Sequence, residues 1–245
     1  MAKEQNSETS AATEESVCPE CGGTGFIVDE RGARPCKCRG TQVAQIRLRR
    51  ARIPPRFMGK TLRSFQITRS PERRHIRECV ENYVKSFTPR TLNPEEVSSN
   101  GLLLIGAVGS GKTHIAVAIL REVIERGFTG RYWNIVDLLD ELRASFDPNS
   151  PAAAWEIMEE IEGADLLVLD DLGAEAPTGW VHDRLYQIIN RRYEDNRPTI
   201  VTTNLELRDL ADQIGSRITS RLCEMCMHVP FPNVDWRRKR MMENS

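Results

Sequence analysis

The segment that most constrains the fold of this 245-residue chain is a glycine-rich octet, residues 106–113, with the sequence GAVGSGKT. It follows the apolar run 102–105 and precedes a stretch in which apolar residues recur at helical spacing. A strand, a glycine-rich loop and a helix in this order form a P-loop, whose backbone amides point inward and bind phosphate groups. The octet therefore predicts an α/β fold that binds a nucleoside triphosphate such as ATP.

Each residue type in the octet has a chemical role. The glycines allow successive backbone amides to turn towards an anion, Lys112 neutralises charge on the outer phosphates, and the hydroxyl of Thr113 ligates the Mg²⁺ ion that bridges them. The nucleotide-binding residues predicted in the loop are Gly106, Gly109, Ser110, Gly111, Lys112 and Thr113.

Two adjacent carboxylates, Asp170 and Asp171, follow the apolar run 166–169. A buried strand of a parallel sheet places such residues at its carboxyl edge, beside the nucleotide. We expect Asp170 to belong to the nucleotide-binding set and to hold magnesium together with Thr113, and Asp171 to polarise the attacking water. Asp171 is one methylene shorter than the glutamate often found at this position.

The next apolar strand, residues 199–203, ends at Asn204. A neutral amide at the tip of a neighbouring strand orients water against the γ-phosphate, which predicts a catalytic role for Asn204. A turn-forming asparagine is the alternative, and only the two preceding motifs favour catalysis.

Strand and helix patterns alternate beyond the octet, as in a parallel sheet covered by helices on both faces. After 102–105, the pattern predicts strands at 131–135, 166–169, 199–203 and 227–231. The predicted helices include 72–87, 136–146, 153–161, 181–195 and 207–214. The expected fold class is an α/β P-loop NTPase.

Four cysteines near the amino terminus have the spacing of metal ligands. Cys18 and Cys21 form a C-x2-C pair, and Cys36 and Cys38 form a C-x-C pair. Four thiolates suit a tetrahedral Zn²⁺ ion, and a domain this small needs such a crosslink. The second pair is closer than in the commoner zinc sites, so unliganded or redox thiols are the alternative. Residues 17–39 are predicted to form a zinc-ribbon-like module.

The net charge of −1 hides an uneven distribution. Residues 1–16 contain one lysine against four glutamates and are otherwise rich in Ser, Thr, Ala and Asn, which predicts a disordered tail. Residues 39–74 contain eleven basic residues against one acidic residue, Glu72. We expect this stretch to face a polyanion, either nucleic acid or an acidic protein surface. A solvated helix whose arginines only keep it soluble is the alternative.

Proline positions and composition predict the domain limits. A basic helix is predicted from Gly40 to about Ser64, broken at Pro54-Pro55 and followed by a docking segment that contains Phe57, Leu62 and Phe65. The predicted order is a disordered tail 1–16, a zinc-binding module 17–39, a basic helical linker 40–70, an ATPase domain 71–236 and a basic carboxyl-terminal tail 237–245.

The composition argues against a membrane protein. No apolar run approaches the roughly 20 residues needed to span a bilayer, and residues 1–16 lack the apolar core of a signal peptide. We therefore expect a cytoplasmic protein without a membrane partner, in which the seven cysteines are thiols or metal ligands rather than disulfides.

Further motifs make a resemblance to a known family specific. The octet, the segment 170–175 (DDLGAE), the segment 51–57 (ARIPPRF) and Asp235-Trp236-Arg237 together are similar to the DnaC/DnaI-type helicase loaders and the related IstB transposition ATPases, both within the AAA+ group. The likeness runs from about Arg52 to Arg237. The cysteine module also resembles the zinc-binding amino-terminal domain of some loaders. Such loaders bind the helicase through that domain.

The resemblance implies a catalytic arginine that acts between subunits. In the family, an arginine late in the domain reaches the nucleotide of the adjacent subunit, and the matching position is Arg221, with Arg217 in reserve. A pair of surface arginines bound to nearby acids is the alternative. Few residues follow Phe231, which leaves little room for the helical lid of the wider superfamily, so Arg237 either replaces the lid arginine or belongs to a charged terminus.

The resemblance implies a loader of the replicative helicase hexamer that binds ATP, Mg²⁺, Zn²⁺ and single-stranded DNA. Such a protein self-associates at its ATP sites and hydrolyses ATP there during DNA replication. One alternative is an IstB-like transposition helper with the same ATPase core. Another is a nonhydrolysing adaptor, in which the zinc module and basic helix bind nucleic acid and the P-loop only senses nucleotide.

Overall fold

The computed structural model describes residues 18–21, 24, 26–29, 32–65, 71–89, 100–145 and 151–243. The chain divides into two compact units, residues 1–43 and residues 44–245. The tail predicted at 1–16 lies outside the described residues.

The first unit is built on a small antiparallel hairpin, formed by β1 (Phe26–Asp29) and β2 (Gly32–Pro35). One cysteine pair precedes the hairpin and the other follows it, so the hairpin brings the two pairs together. Helix α1 (Cys38–Arg50) begins in this unit and continues into the second.

The second unit contains a five-stranded parallel sheet. Its strands are β3 (Gly101–Ile105), β4 (Gly130–Asn134), β5 (Leu166–Asp170), β6 (Thr199–Thr203) and β7 (Cys226–Pro230). The strand order is β4-β5-β6-β3-β7, and every neighbouring pair is parallel. The carboxyl ends of β3, β5 and β6 therefore meet at one edge of the sheet, where the three predicted motifs begin.

Helices cover both faces of the sheet. They are α2 (Pro71–Ser86), α3 (Lys112–Glu125), α4 (Ile135–Ser145), α5 (Pro151–Gly163), α6 (Gly179–Glu194), α7 (Leu207–Ile214), α8 (Ser216–Met225) and α9 (Trp236–Glu243). Successive side chains of a strand point to opposite faces. Accordingly Leu102 and Leu104 pack in one core with α2 and α3, whereas Leu103 and Ile105 pack in the other with α4 to α8. The predicted fold class is confirmed.

The basic helix predicted at 40–64 is wrong in its second half. Helix α1 ends at Arg50, and only a short 3-10 helix, Pro55–Phe57, follows. Arg52 has a φ of 60°, in the left-handed region that ends a helix. Ile53 precedes a proline, whose ring disfavours helical backbone in the residue before it.

The chain after α1 instead lies along the edge strand β4. The backbone amide of Tyr132 donates to the carbonyl of Ala51 over 2.8 Å. The guanidinium of Arg52 lies 4.0 Å from the ring centroid of Trp133 and pairs with Glu141 and Glu160. This contact blunts an otherwise open sheet edge.

The basic stretch 39–74 divides between structural and exposed side chains. Arg47 donates to the carbonyl of Gly127, Arg52 is paired as described, and Arg73 is buried. Part of the local positive charge is thus used within the fold. The exposed members include Arg49, Arg50, Arg56, Arg63 and Arg74.

Within the described residues, no helix is both long enough and apolar enough to cross a lipid bilayer.

Candidate nucleotide-binding site

The P-loop connects β3 to α3 at the carboxyl edge of the sheet. Gly109 and Gly111 have φ values of 75° and 107°, in the region that glycine adopts readily. A Cβ at Gly109 would collide with the carboxylate of Asp235, and a Cβ at Gly111 would lie 3.0 Å from the ring of Phe65. Glycine therefore lets the loop turn tightly into the start of α3, where unpaired amides and the helix dipole favour an anion.

Two side chains of the loop indicate what it is built to hold. The buried hydroxyl of Ser110 has no hydrogen-bond partner. The buried ammonium of Lys112 donates to the carbonyls of Gly106 (2.7 Å) and Ala107 (2.9 Å) and to Oδ1 of Asn204 (2.7 Å). Burial lowers the pKa of Lys112, and the carboxylates of Asp171 and Asp170 oppose that shift. These three acceptors are uncharged, and a phosphate group at this loop would give Lys112 an anionic hydrogen-bond partner.

Asp170 lies at the end of β5 and accepts hydrogen bonds from three hydroxyl groups. Thr113 donates to its two oxygens over 3.0 and 3.2 Å, Tyr132 over 2.6 Å and Thr202 over 2.7 Å. Burial, with the nearby carboxylate of Asp170, raises the pKa of Tyr132, so its hydroxyl stays protonated and donates. The carboxylate is therefore held in one orientation. Its oxygens, beside the hydroxyl of Thr113, are the donor type that Mg²⁺ prefers.

Asp171 and Asn204 are joined at the tips of β5 and β6. The side-chain amide of Asn204 donates to Oδ1 of Asp171 over 2.6 Å. The backbone amide of Asp171 donates to the hydroxyl of Thr202 over 2.9 Å, and its φ of 64° lies in the left-handed region. Such a backbone costs about 1–3 kcal/mol, which the surrounding hydrogen bonds must offset. One chain of contacts thus links Lys112, Asn204 and Asp171.

A cleft of about 1140 Å³ contains these groups. Phe65, Arg73 and Trp236 form part of its wall, together with Tyr132 and Thr202. The basic side chains that line it, besides Lys112, are Arg56, Lys60, Arg73, Arg237 and Lys239. The cleft is therefore suited to a ligand that carries several negative charges.

Three residues of the site carried no sequence signal that we recognised, and a fourth, Trp236, was noted only as part of the Asp235-Trp236-Arg237 motif. Tyr132 and Thr202 lie on strands next to β5, and their sequences read only as buried strand. Arg73 and Trp236 come from opposite ends of the second unit and meet at 4.3 Å. Knowledge of the strand order would have identified Thr202, because Val168 pairs with Ile200 and the strand ends then coincide.

The predicted trans-acting arginine lies away from this cleft. No residue of α8 is among the described residues that line it. The guanidinium of Arg221 lies against Tyr186, 4.9 Å from the ring centroid and 3.1 Å from the hydroxyl, and 5.5 Å from the centroid of Tyr193. Arg217 is exposed one turn earlier, and its carbonyl accepts from Arg221. Any role at a nucleotide would thus require a second subunit.

The carboxyl-terminal helix packs beside the P-loop. The amide of Trp236 donates to the carbonyl of Gly109 over 3.2 Å, and Oδ1 of Asp235 accepts from the amides of Arg237 and Arg238. Arg237, predicted either to replace a lid arginine or to belong to a charged terminus, is exposed and lines the cleft.

His114 and the two late cysteines, Cys223 and Cys226, occupy packing or surface positions. His114 packs edge-on against Phe65, with ring centroids 5.6 Å apart. Cys226 is buried in the core, whereas Cys223 is exposed. Among the described residues, neither late cysteine belongs to a group of potential metal ligands.

The first unit holds a separate cluster formed by Cys18, Cys21, Cys36 and Cys38. Their sulfur atoms all lie within 4.8 Å of one another, with 3.8 Å between Cys18 and Cys36 and 3.3 Å between Cys21 and Cys38. Four thiolates around zinc, with bonds of about 2.3 Å in a tetrahedron, have sulfurs about 3.8 Å apart. Hydrogen bonding to Cys21 raises the pKa of Cys38. The donor set and its spacing therefore fit a tetrahedral zinc ion.

The fold and the site define the class of P-loop nucleotide-binding proteins, and comparison with known proteins identifies the family. The model of the family described as IstB-like ATP binding protein matches residues 33–243. The match covers most of the chain, which therefore belongs to this family.

Similar proteins include loaders of the replicative helicase. The Replicative helicase loader DnaC of Escherichia coli (strain K12) is 28% identical over 147 residues, which cover 59% of this chain and 59% of that protein. A crystal structure of the DnaC helicase loader matches with a TM-score of 0.64 and 26% identity, over 73% of this chain and 100% of that one. A crystal structure of DnaI matches with a TM-score of 0.62 and 25% identity, over 74% and 95%. The chain thus spans 59% of the length of the curated relative.

Proposed function

We propose that this protein is an ATP-dependent loader of the replicative DNA helicase. The observation that carries the proposal is the network that joins Lys112, Asn204 and Asp171 beside the Thr113–Asp170 pair, in a chain of the IstB-like family. The network holds the groups that bind a triphosphate next to groups suited to its hydrolysis. Similarity to proteins named helicase loaders supports the choice of partner.

Binding begins with the exchange of partners at Lys112. Its ammonium leaves the carbonyls of Gly106 and Ala107 and pairs with the outer phosphates, while the amides of the P-loop bind the same group. Asp170 and Thr113 would hold Mg²⁺, which supplies positive charge against the β- and γ-phosphates. Tyr132 and Thr202 keep the Asp170 carboxylate in place for that role.

Hydrolysis uses the second carboxylate. Asp171 accepts a proton from a water molecule as the water oxygen bonds to the γ-phosphorus, and the bond from that phosphorus to the ADP oxygen breaks. The proton then passes to the released phosphate or to solvent. Asn204 holds Asp171 through its amide and touches Lys112 through its oxygen, so it aligns water, base and phosphate together.

The site is completed between subunits in this proposal. Arg221 is held by Tyr186 on the surface of α8 and does not line the cleft of its own chain. In a ring or spiral, the same arginine reaches the nucleotide of a neighbour and stabilises the charge of phosphoryl transfer. Assembly on the helicase then controls hydrolysis, and ATP acts as a timing switch for release.

The unit that contains the four-cysteine cluster is the part of the protein that binds the helicase. The four thiolates would hold Zn²⁺, which would crosslink the hairpin of the first unit, a unit too small for a large apolar core. Removal of the metal is expected to unfold this unit and abolish helicase binding. The exposed arginines of the basic stretch and the basic side chains that line the cleft support the proposal that the protein binds single-stranded DNA. A protein that loads a helicase on DNA is expected to act in the cytoplasm.

A transposition helper is the second candidate, because the matching family model is named IstB-like. Such a helper uses the same ATPase core on duplex DNA and binds a transposase. We favour the assignment as a helicase loader because the cysteine cluster lies in a separate unit that could bind a helicase.

Affinity capture of the full chain from its own cells, with ATP present, tests the proposal. We expect recovery of the replicative helicase hexamer and its loss after Cys38→Ser or zinc chelation. Purified helicase should then be loaded on circular single-stranded DNA only when ATP and this protein are added. Recovery of a transposase without the helicase, or loading that is equal without the protein, would overturn the assignment.

A further inference from the structure

Arg73 is a buried cation in the wall of the nucleotide cleft. Arg73 lies on the first turn of α2 and is only 6% exposed to solvent. Its guanidinium carbon lies 4.3 Å from the ring centroid of Phe65 and 4.3 Å from that of Trp236. The two aromatic rings therefore hold the guanidinium group.

Among the residues that the structure describes, Arg73 has no anionic partner. Its Nε is buried and has no hydrogen-bond partner, and none of the described ion pairs involves this residue. Burial lowers its pKa, which reflects the cost of removing the charge from water. Aromatic faces attract a cation but accept its N–H groups poorly, so the arrangement leaves hydrogen-bonding capacity unused. A buried charge of this kind normally has an anion or acceptor.

The cleft is where such an anion would lie. Arg73 lines the cleft with Lys112, and a Cβ placed on Gly111 would be 3.8 Å from Nη2 of Arg73. The guanidinium is thus close to the turn at which the P-loop enters α3. Asp170 and Asp171, which also line the cleft, pair with hydroxyl and amide groups instead.

We propose that Arg73 is a second cationic ligand of the nucleotide, and that it binds the phosphate chain next to Lys112. The inference rests on the proposed function, since it assigns a further residue to the same ATP site. A guanidinium presents a planar set of donors that suits phosphate oxygens, and the aromatic clamp fixes its orientation before the ligand arrives. Phe65 and Trp236 act on the nucleotide only through Arg73 and are positioning residues.

Calorimetric titration of ATP-Mg²⁺ into the full chain tests the proposal with three variants. Arg73→Gln removes the charge, Arg73→Lys keeps it, and Arg74→Gln makes the same change at the exposed neighbouring arginine. We expect Arg73→Gln to weaken binding at least tenfold at low salt, Arg73→Lys to weaken it less, and Arg74→Gln to leave it within twofold. Because salt screens charge interactions, the loss for Arg73→Gln should shrink in high salt.

Equal losses for Arg73→Gln at low and high salt would assign the residue a packing role and overturn the proposal. Wild-type affinity in Arg73→Gln would also overturn it, while leaving ATP binding by the wild type intact. Failure of the wild type to bind ATP would instead reject the proposed function.

A measurement on the wild-type protein covers the case in which Arg73→Gln does not fold. The ¹⁵Nε–H signal of Arg73, identified by its absence in Arg73→Lys, should shift on addition of ATP-Mg²⁺ and of inorganic triphosphate. Adenosine should leave it unchanged. A signal that responds to none of these, or to adenosine alone, contradicts contact with the phosphate chain.

Discussion

The ammonium nitrogen of Lys112 lies 2.7 Å from the side-chain oxygen of Asn204, and this contact joins the P-loop to the tip of β6. The amide nitrogen of Asn204 lies 2.6 Å from Oδ1 of Asp171. One neutral side chain therefore bridges the cation proposed to bind phosphate and the proposed general base. We therefore expect a movement of Lys112 towards a phosphate to alter the position of Asp171 through Asn204.

Replacement of Asn204 by alanine tests this bridge. We expect Asn204→Ala to lower the turnover of ATP by about 10²-fold, the scale of removing one oriented polar group from a reaction site. ATP affinity should change little, because Lys112 and the loop amides remain. Phosphate release and calorimetry measure the two quantities. Asn190→Ala, which removes an amide paired with Glu194 on α6, is the control, and wild-type turnover in Asn204→Ala would refute the bridge.

Tyr132 and Thr202 are expected to act through Asp170. Tyr132→Phe and Thr202→Val each remove a hydroxyl that fixes the carboxylate. Loss of such a supporting hydrogen bond costs about 10- to 100-fold in metal affinity or activity. The Mg²⁺ concentration for half-maximal turnover should rise in both variants. Tyr83→Phe, which removes a hydroxyl donor to the carbonyl of Asn100, controls for stability alone; an unchanged magnesium requirement in Tyr132→Phe counts against the role.

Mixing of two inactive variants tests whether Arg221 acts in trans. Arg221→Ala and Asp171→Asn should each lose partner-stimulated hydrolysis, by about 10³-fold or more for the arginine. In a mixed ring, the sites with Asp171 from one variant and Arg221 from the other are complete. An equal mixture should regain activity at about a quarter of its interfaces if subunits assort randomly in a head-to-tail ring. A mixture that stays inactive shows that Arg221 has no such role, and recovery with Arg217→Ala in place of Arg221→Ala assigns it to Arg217.

His114 is expected to make stability depend on pH. Burial lowers its pKa, the carbonyl of Thr61 opposes this, and Lys60 and Arg73 lower it further. The folded state therefore resists protonation more than the unfolded chain does. The part of the folding stability that depends on neutral His114 is fully present above the ordinary histidine pKa of about 6.5. It is lost as the pH falls from there towards the lower pKa of His114 in the folded state. Urea unfolding at pH 7.5 and 5.5 should show a smaller loss for His114→Gln than for the wild type; equal losses contradict the interpretation.

The sequence was sufficient where the information is local. The P-loop, Asp170 and the strand 199–203 follow from short patterns, because a buried strand and its terminal polar residue are adjacent in the chain. The parallel sheet follows from alternation of these patterns. The strand predicted at 227–231 differs by one residue from the observed strand β7, Cys226–Pro230. A short apolar run does not by itself determine its register with a neighbouring strand.

Long-range packing explains what the sequence could not provide. Tyr132 approaches Asp170 only because β4 pairs with β5, and Arg73 meets Trp236 only because α2 and α9 both lie beside the P-loop. The helix predicted at 40–64 failed for a related reason. The non-helical backbone after Arg50 is fixed by the hydrogen bond between Ala51 and Tyr132 and by burial of Ile53, which helix propensity does not express.

The central claim is that residues 106–113 bind the triphosphate of ATP, and direct calorimetric titration of ATP-Mg²⁺ into the purified full chain tests it. We predict saturable heat with one site per chain for the wild type and no measurable heat for Lys112→Ala, with both proteins folded by circular dichroism. Absence of heat with the folded wild type, or equal binding by Lys112→Ala, would contradict the account.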